Sequence, residues 1–212
     1  MTQLTGSEGA FPPFDPTLAP SDPLALFGTW FDEAIDAGVP EPQAMTVATA
    51  DATGAPSARV VMLARVRDGG WEFVTDARSR KARELVANPR AAATFYWQGQ
   101  GRQIRLSGPV VERSTEDRDA DFRARSAHSR AAALADRPGE PLASMGELRA
   151  ATAAALELAT REPERALADW RLVAIVPLEV EFWQRDPGRA HTRLVYRRDT
   201  VASPWRRVLE WP

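Results

Sequence analysis

Three basic side chains at alternate positions, Arg189, His191 and Arg193, close the stretch WQRDPGRAHTR that begins at Trp183. Successive side chains of an extended segment point to opposite faces, so this spacing predicts one row of two permanent cations and a titratable imidazole. Two permanent cations and a titratable imidazole do not line up there for packing. A solvated polar strand end accounts for the same letters. A second basic group, Ser79-Arg80-Lys81, follows shortly after Val74-Thr75. A helix starting there offers free backbone N–H groups and the positive end of its dipole, and the hydroxyl, guanidinium and ammonium beside them make a phosphate cradle. SRK is also ordinary surface sequence; what singles it out is that Lys81 is the one lysine in the chain. Arg59 opens a strand. Gln103 could donate to and accept from a heteroaromatic ring, or simply end a ladder. Trp183, beside Phe182, can stack on a ring or fill the core.

Other chemistries find no support. The chain has no cysteine and two histidines, so a zinc site would need carboxylates from scattered places, and no metal centre is expected. P-loop, G-x-G-x-x-G and G-x-S-x-G patterns are absent. A net charge of −2 argues against a nucleic-acid partner. With neither a signal-like start nor a long apolar run, a cytoplasmic protein without a membrane partner is expected.

The elements that must position these residues are legible from periodicity. Residues 1–20, rich in Pro, Gly, Ser and Thr, read as a flexible or draped arm, and 21–212 as a single domain. Ser21-Asp22-Pro23 starts a helix whose apolar positions run from Leu24 to Ala34, ended by Gly38. From Ala44 the period changes to two: AMTVATA, ARVVMLARV and WEFVT read as successive antiparallel strands. A short helix follows from Ser79 to Asn88-Pro89. Then come AAATFYW and the long RQIRLSGPVVER, bent at Gly108. Residues 115–168 read as alanine-rich helices broken at RPGEP. Strand character returns with RLVAIVPLEVEFWQ, TRLVYRR and a segment near Trp205. The fold class expected is α+β, mainly β, with an antiparallel closed or half-closed barrel and surrounding helices.

Taken together, DPLALFGTWFDEA, MTVATADATGAPSARVVML, FVTDARSRKARELVANPRAAATFYW, RQIRLSGPV and EFWQRDPGRAHTR resemble the pyridoxamine 5'-phosphate oxidase family, over most of residues 22–197. The resemblance implies an FMN-binding split β-barrel that forms a homodimer with the flavin at the subunit interface. By position, it implies FMN contacts from Arg59, Val60, Val61, Met62, Val74, Thr75, Ser79, Arg80 and Lys81, and from Gln103, Trp183 and Arg193 of the neighbouring subunit. Arg189 and His191 match the residues over the substrate face of the flavin and are the expected catalytic pair. Arg125 and Ser129 match part of the pocket for the substrate's phosphate. The implied reaction passes a hydride from substrate to flavin, with dioxygen as acceptor and hydrogen peroxide as product.

Departures concentrate on the substrate side. Ala64 stands where the family has a substrate-contacting lysine, and Arg65 should point to the opposite face. Asp121 replaces a tyrosine on the substrate phosphate, which a carboxylate would repel. Pro138-Gly139 replaces a Gln-Ser pair near FMN, and the VLEWP terminus departs from the usual Arg-Leu ending. The expected activity is oxidation of pyridoxine or pyridoxamine 5'-phosphate to pyridoxal 5'-phosphate. The alternative is a sister oxidase, like those of phenazine biosynthesis, acting on a non-phosphorylated ring compound. A third reading is a flavin-binding protein without turnover.

Overall fold

The computed structural model describes residues 11–212. Its first helix, α1 (Pro23–Asp36), starts where Asp22 accepts the Leu24 N–H at 3.0 Å, with proline in the first turn. Leu26, Phe27, Trp30 and Ala34 recur at helical spacing and are all buried. Each large side chain among them contributes roughly 1.5–3 kcal/mol of burial. Phe27 meets Trp71 and Phe95, while Trp30 meets Phe182 edge-on, so α1 lies against the mouth of a sheet core.

That core is a closed barrel. The strands are β1 (Ala44–Ala50), β2 (Pro56–Arg67), β3 (Gly70–Asp76), β4 (Arg90–Trp97), β5 (Arg102–Glu112) and β6 (Trp170–Ile175). They pair antiparallel in the order β4-β1-β2-β3-β6-β5, and β4 also pairs with β5, which closes the ring. Alternation along β1 and β4 sends Met45, Val47, Ala91, Ala93, Phe95 and Trp97 inward. A short helix, α2 (Arg80–Ala87), joins β3 to β4.

Three more strands, β7 (Glu179–Gln184), β8 (Thr192–Arg197) and β9 (Arg206–Leu209), extend outward from β5 as a wing. The segment RLVAIVPLEVEFWQ divides around Pro177, between β6 and β7. β5 belongs to both parts. Arg102–Ser107 pair with β7, and Val110–Glu112 pair with β6. The expected bend at Gly108 marks this change of partner. A Cβ there would lie 2.4 Å from the Val176 carbonyl oxygen and 2.7 Å from Pro177 Cα, so the β6–β7 connection can cross only a glycine.

The helical stretch forms α3 (Thr115–Ala124), α4 (Ala127–Ala135) and α5 (Met145–Arg161). Their alanines have a use: Ala131, Ala155 and Ala159 make a small core of their own between α4 and α5. No helix among the described residues is long and apolar enough to cross a membrane.

Of the arm expected over residues 1–20, the first ten lie outside the described residues. Residues 11–20 are draped rather than free. Phe14 packs edge-on against Trp30 at 5.0 Å, Ala19 is buried, and the Tyr196 hydroxyl donates to the Pro20 carbonyl at 2.7 Å. The scarcity of aliphatic residues hid two aromatic anchors: Phe14, and Phe11, whose ring lies 5.2 Å under the Arg185 guanidinium.

Candidate functional site

The expected phosphate cradle assembles around the start of α2. Ser79 is its N-cap and accepts the Ala82 N–H at 3.3 Å. The Ser79 and Thr75 hydroxyls are 2.8 Å apart, and Lys81 Nζ donates to Thr75 Oγ1 at 3.2 Å. Lys81 has no carboxylate within ion-pair distance among the described residues, whereas Arg59 and Arg80 both reach Glu84, at 3.4 and 2.7 Å. Burial, and then the Arg59 charge nearby, push the Lys81 ammonium below its usual range. A half-buried cation with no ion-pair partner among the described residues, flanked by two hydroxyls at a helix N-terminus, is the donor set a phosphate monoester needs. The group at the phosphate end of FMN therefore fits the residues present.

Glu84 was not singled out from the sequence, although its i,i+4 relation to Arg80 was visible there. It is buried and organises the cradle's outer half. Ser57 donates to it at 2.6 Å, as does Thr49, and these two bonds, with Arg80, hold its carboxyl down to about 2. Since the folded value lies below the ordinary 4.5, its stabilising contribution is complete above about 4.5 and is lost as pH falls through about 2. Glu84→Gln is expected to lower stability at neutral pH and to flatten the acid limb across that window. Denaturant midpoints measured at several pH values would read both effects.

A second group lies on the wing. Tyr96, Gln103, Trp183 and Arg193 are consecutive register partners across β4, β5, β7 and β8, forming one row on the sheet's outer face. Arg193 is held at 2.7 Å by Glu181, a buried carboxylate that also meets Arg105 at 3.4 Å. Glu181 escaped the sequence reading because its burial is decided by neighbouring strands. On β2, Val60 and Met62 expose their side chains, Val61 is half-buried, and Arg59 turns toward α2. Val74 and Thr75 lie on β3, opposite Leu172 and Arg171 of β6.

The alternating row of Arg189, His191 and Arg193 is not an extended strand. β8 begins only at Thr192, and Arg189 takes a left-handed backbone with φ 72°. Asp186 imposes the turn: its carbonyl accepts the Arg189 N–H at 3.1 Å, and its carboxylate the Ala190 N–H at 3.2 Å. The intervening Pro187-Gly188 completes the reversal. All three side chains nevertheless line one cavity of about 450 Å³, together with Pro16, Leu209, Glu210 and Trp211. The His191 ring packs 4.9 Å from Trp183, which brings the cavity to the end of the cross-strand row. Nδ1 of His191 accepts the Asp186 N–H at 3.0 Å, so the ring proton sits on Nε2 and is available as a donor.

The third group is on the helices. Arg125 caps the C-terminus of α3, and its Nε donates to Asp121 Oδ2 at 3.0 Å. Ser129 lies in the first turn of α4, its N–H bonded to the Ser126 cap. Asp121 thus stands paired with the arginine beside it. On β2, Ala64 is exposed and Arg65 bonds Glu72 at 2.5 Å, and the pairing with β3 shifts register between Leu63 and Arg65, so simple alternation does not set their faces. No cluster of three metal-ligating side chains occurs among the described residues.

Residues 31–184 match the family model described as pyridoxamine 5'-phosphate oxidase, and residues 170–212 match the pyridoxine 5'-phosphate oxidase C-terminal dimerisation region. A pyridoxine/pyridoxamine 5'-phosphate oxidase of Thermosynechococcus vestitus is 42% identical over 194 residues, 92% of this chain and 90% of that protein. One of Bordetella petrii is 43% identical over 178 residues, 84% of each chain. Among solved structures, PhzG from Burkholderia lata in complex with tetrahydrophenazine-1-carboxylic acid superposes with a TM-score of 0.86 at 32% identity, covering 98% of this chain and all of that one.

Proposed function

The chain belongs to the pyridoxamine 5'-phosphate oxidase family of FMN-dependent oxidoreductases, and on that footing we propose that it oxidises pyridoxine or pyridoxamine 5'-phosphate to pyridoxal 5'-phosphate. The observation that carries this reading is the cavity in which Arg189 and His191 meet the end of the Gln103–Trp183–Arg193 row. The protein works as a homodimer, in keeping with the match to a dimerisation region. Lys81, Ser79, Thr75, Arg80 and Arg59 hold the phosphate end of FMN, the backbone of Val60, Val61, Met62 and Val74 borders it, and Gln103, Trp183 and Arg193 reach it from the partner subunit. When bound, FMN supplies the acceptor for a hydride from the carbon bearing the amine or alcohol, and dioxygen takes the electrons onward as hydrogen peroxide.

The chain's own residues do the positioning. Arg189 fixes the substrate by its charge, and its turn, locked by Asp186, holds the guanidinium at the cavity wall. His191 donates from Nε2 to the substrate's oxygen or nitrogen and controls the proton there. Arg125 and Ser129 receive the substrate's phosphate.

A second reading, oxidation of a phosphate-free ring compound, is favoured by the Asp121–Arg125 pair and by Ala64. The PhzG structure, complexed with a phenazine carboxylic acid, gives it structural company. A flavin-binding protein without turnover is the third reading, and the paired Arg189 and His191 speak against it. The test is anaerobic mixing of the FMN-loaded protein with pyridoxamine 5'-phosphate. Bleaching of the flavin, then recovery with peroxide on admitting air, is the expected result. Bleaching only by a phosphate-free ring compound would move the assignment to the second reading, and failure to take up FMN would overturn both.

A further inference from the structure

Arg125 has two partners within its own chain. Its guanidinium donates to Asp121 and lies 4.8 Å over the Trp170 ring. Asp121 is itself fixed from the other side, because Trp170 Nε1 donates to the same Oδ2 at 3.0 Å. The carboxylate is 9% exposed, and Phe122 packs edge-on against the same indole at 5.4 Å. Arginine, aspartate and tryptophan therefore form a closed set on α3 and β6 whose formal charge sums to zero.

We infer that Asp121 is a specificity-determining residue: by occupying Arg125 it cancels most of the advantage of a phosphate on the substrate. Phosphorylated and phosphate-free forms of one ring compound then bind with comparable affinity. The inference rests on the proposed function only in taking Arg125 and Ser129 as the pocket for that end of the substrate. A phosphate arriving there faces two choices. If Arg125 leaves Asp121, a nearly buried carboxylate keeps the indole N–H and loses its cation. If Arg125 stays, the dianion lies beside a negative group, and the neutral hydroxyl of Ser129 does not offset that. Both routes subtract from the gain a free arginine would give, whereas a phosphate-free substrate disturbs nothing.

The experiment is calorimetric titration of the FMN-loaded protein with 4-deoxypyridoxine 5'-phosphate and with 4-deoxypyridoxine, which lack the oxidisable group and do not turn over. In the wild type the two dissociation constants are expected within about tenfold of each other. Asp121→Asn keeps an acceptor for Trp170 Nε1 but removes the charge that holds Arg125, and should raise the preference for the phosphate form at least about tenfold. A merely structural role for Asp121 would weaken both ligands together, leave the ratio unchanged and overturn the inference. A wild-type preference for phosphate above about a hundredfold would overturn it without any variant, as would absence of binding by either form. Flavin bleaching is read separately, so an inactive oxidase with the expected affinity ratio sinks the function proposed above and spares the role of Asp121.

Discussion

Arg189→Gly is expected to lower kcat by about two to three orders of magnitude while FMN stays bound and the protein stays folded. Glycine is the informative replacement because position 189 has φ 72°, a conformation it adopts without the steric cost other residues bear. The turn made by Asp186 should therefore persist, with Ala190 still bonded to its carboxylate, and His191 should keep its Nε2 proton facing the cavity. What disappears is only the cation at the cavity wall. Stopped-flow flavin reduction separates the steps: a slow hydride transfer with near-normal thermal stability supports the orienting role. Unchanged reduction kinetics at saturating substrate would remove Arg189 from the chemistry.

The second large effect concerns the cofactor. Lys81→Met, which keeps the length and removes the charge, should weaken FMN binding about a hundredfold, the order of loss when one partner of a desolvated charge pair is deleted. Arg83→Met is the control, since Arg83 sits on the exposed side of the same helix and bonds the Arg78 carbonyl. A similar loss in both variants would mean that overall charge, and not the cradle, holds the phosphate. The lowered pKa of Lys81 adds a sign. Because burial and Arg59 favour its neutral form, the ammonium is lost at a pH below the ordinary lysine value, and FMN affinity should decline as pH rises toward that value. Flavin fluorescence on release would follow both effects.

How much of this was legible in the sequence depends on the range of the interaction. The cap and proline that start α1, the Ser79 cap of α2, and the alternation of β1 and β4 are local signals, and each element stands where its signals put it. The bend at Gly108 was legible as an interruption, but its cause, the carbonyl of Val176 crossing the strand, lies far along the chain. The row of Arg189, His191 and Arg193 is not a strand because Asp186-Pro187-Gly188, a strong turn signal in the same stretch, overrides the alternation. Its membership of one cavity survived because a tight turn and a strand end can present the same side chains to the same space. Glu84, Glu181 and the pairing of Asp121 were hidden for a common reason. An acidic side chain reads as solvent-facing until its tertiary donors are known, and those donors come from Ser57, Arg193 and Trp170. The Asp121–Arg125 half of that pairing was open to view at i,i+4 on a helix.

Because β5 is hydrogen-bonded into the barrel through β4 and β6 and into the wing through β7, no cut between the two leaves a complete sheet on either side. Fraying the wing uncovers one edge of a barrel strand, and opening the barrel strips the wing of its anchor. Barrel and wing should therefore melt as one cooperative unit, with the amides of Arg102–Ser107 among the slowest to exchange with solvent.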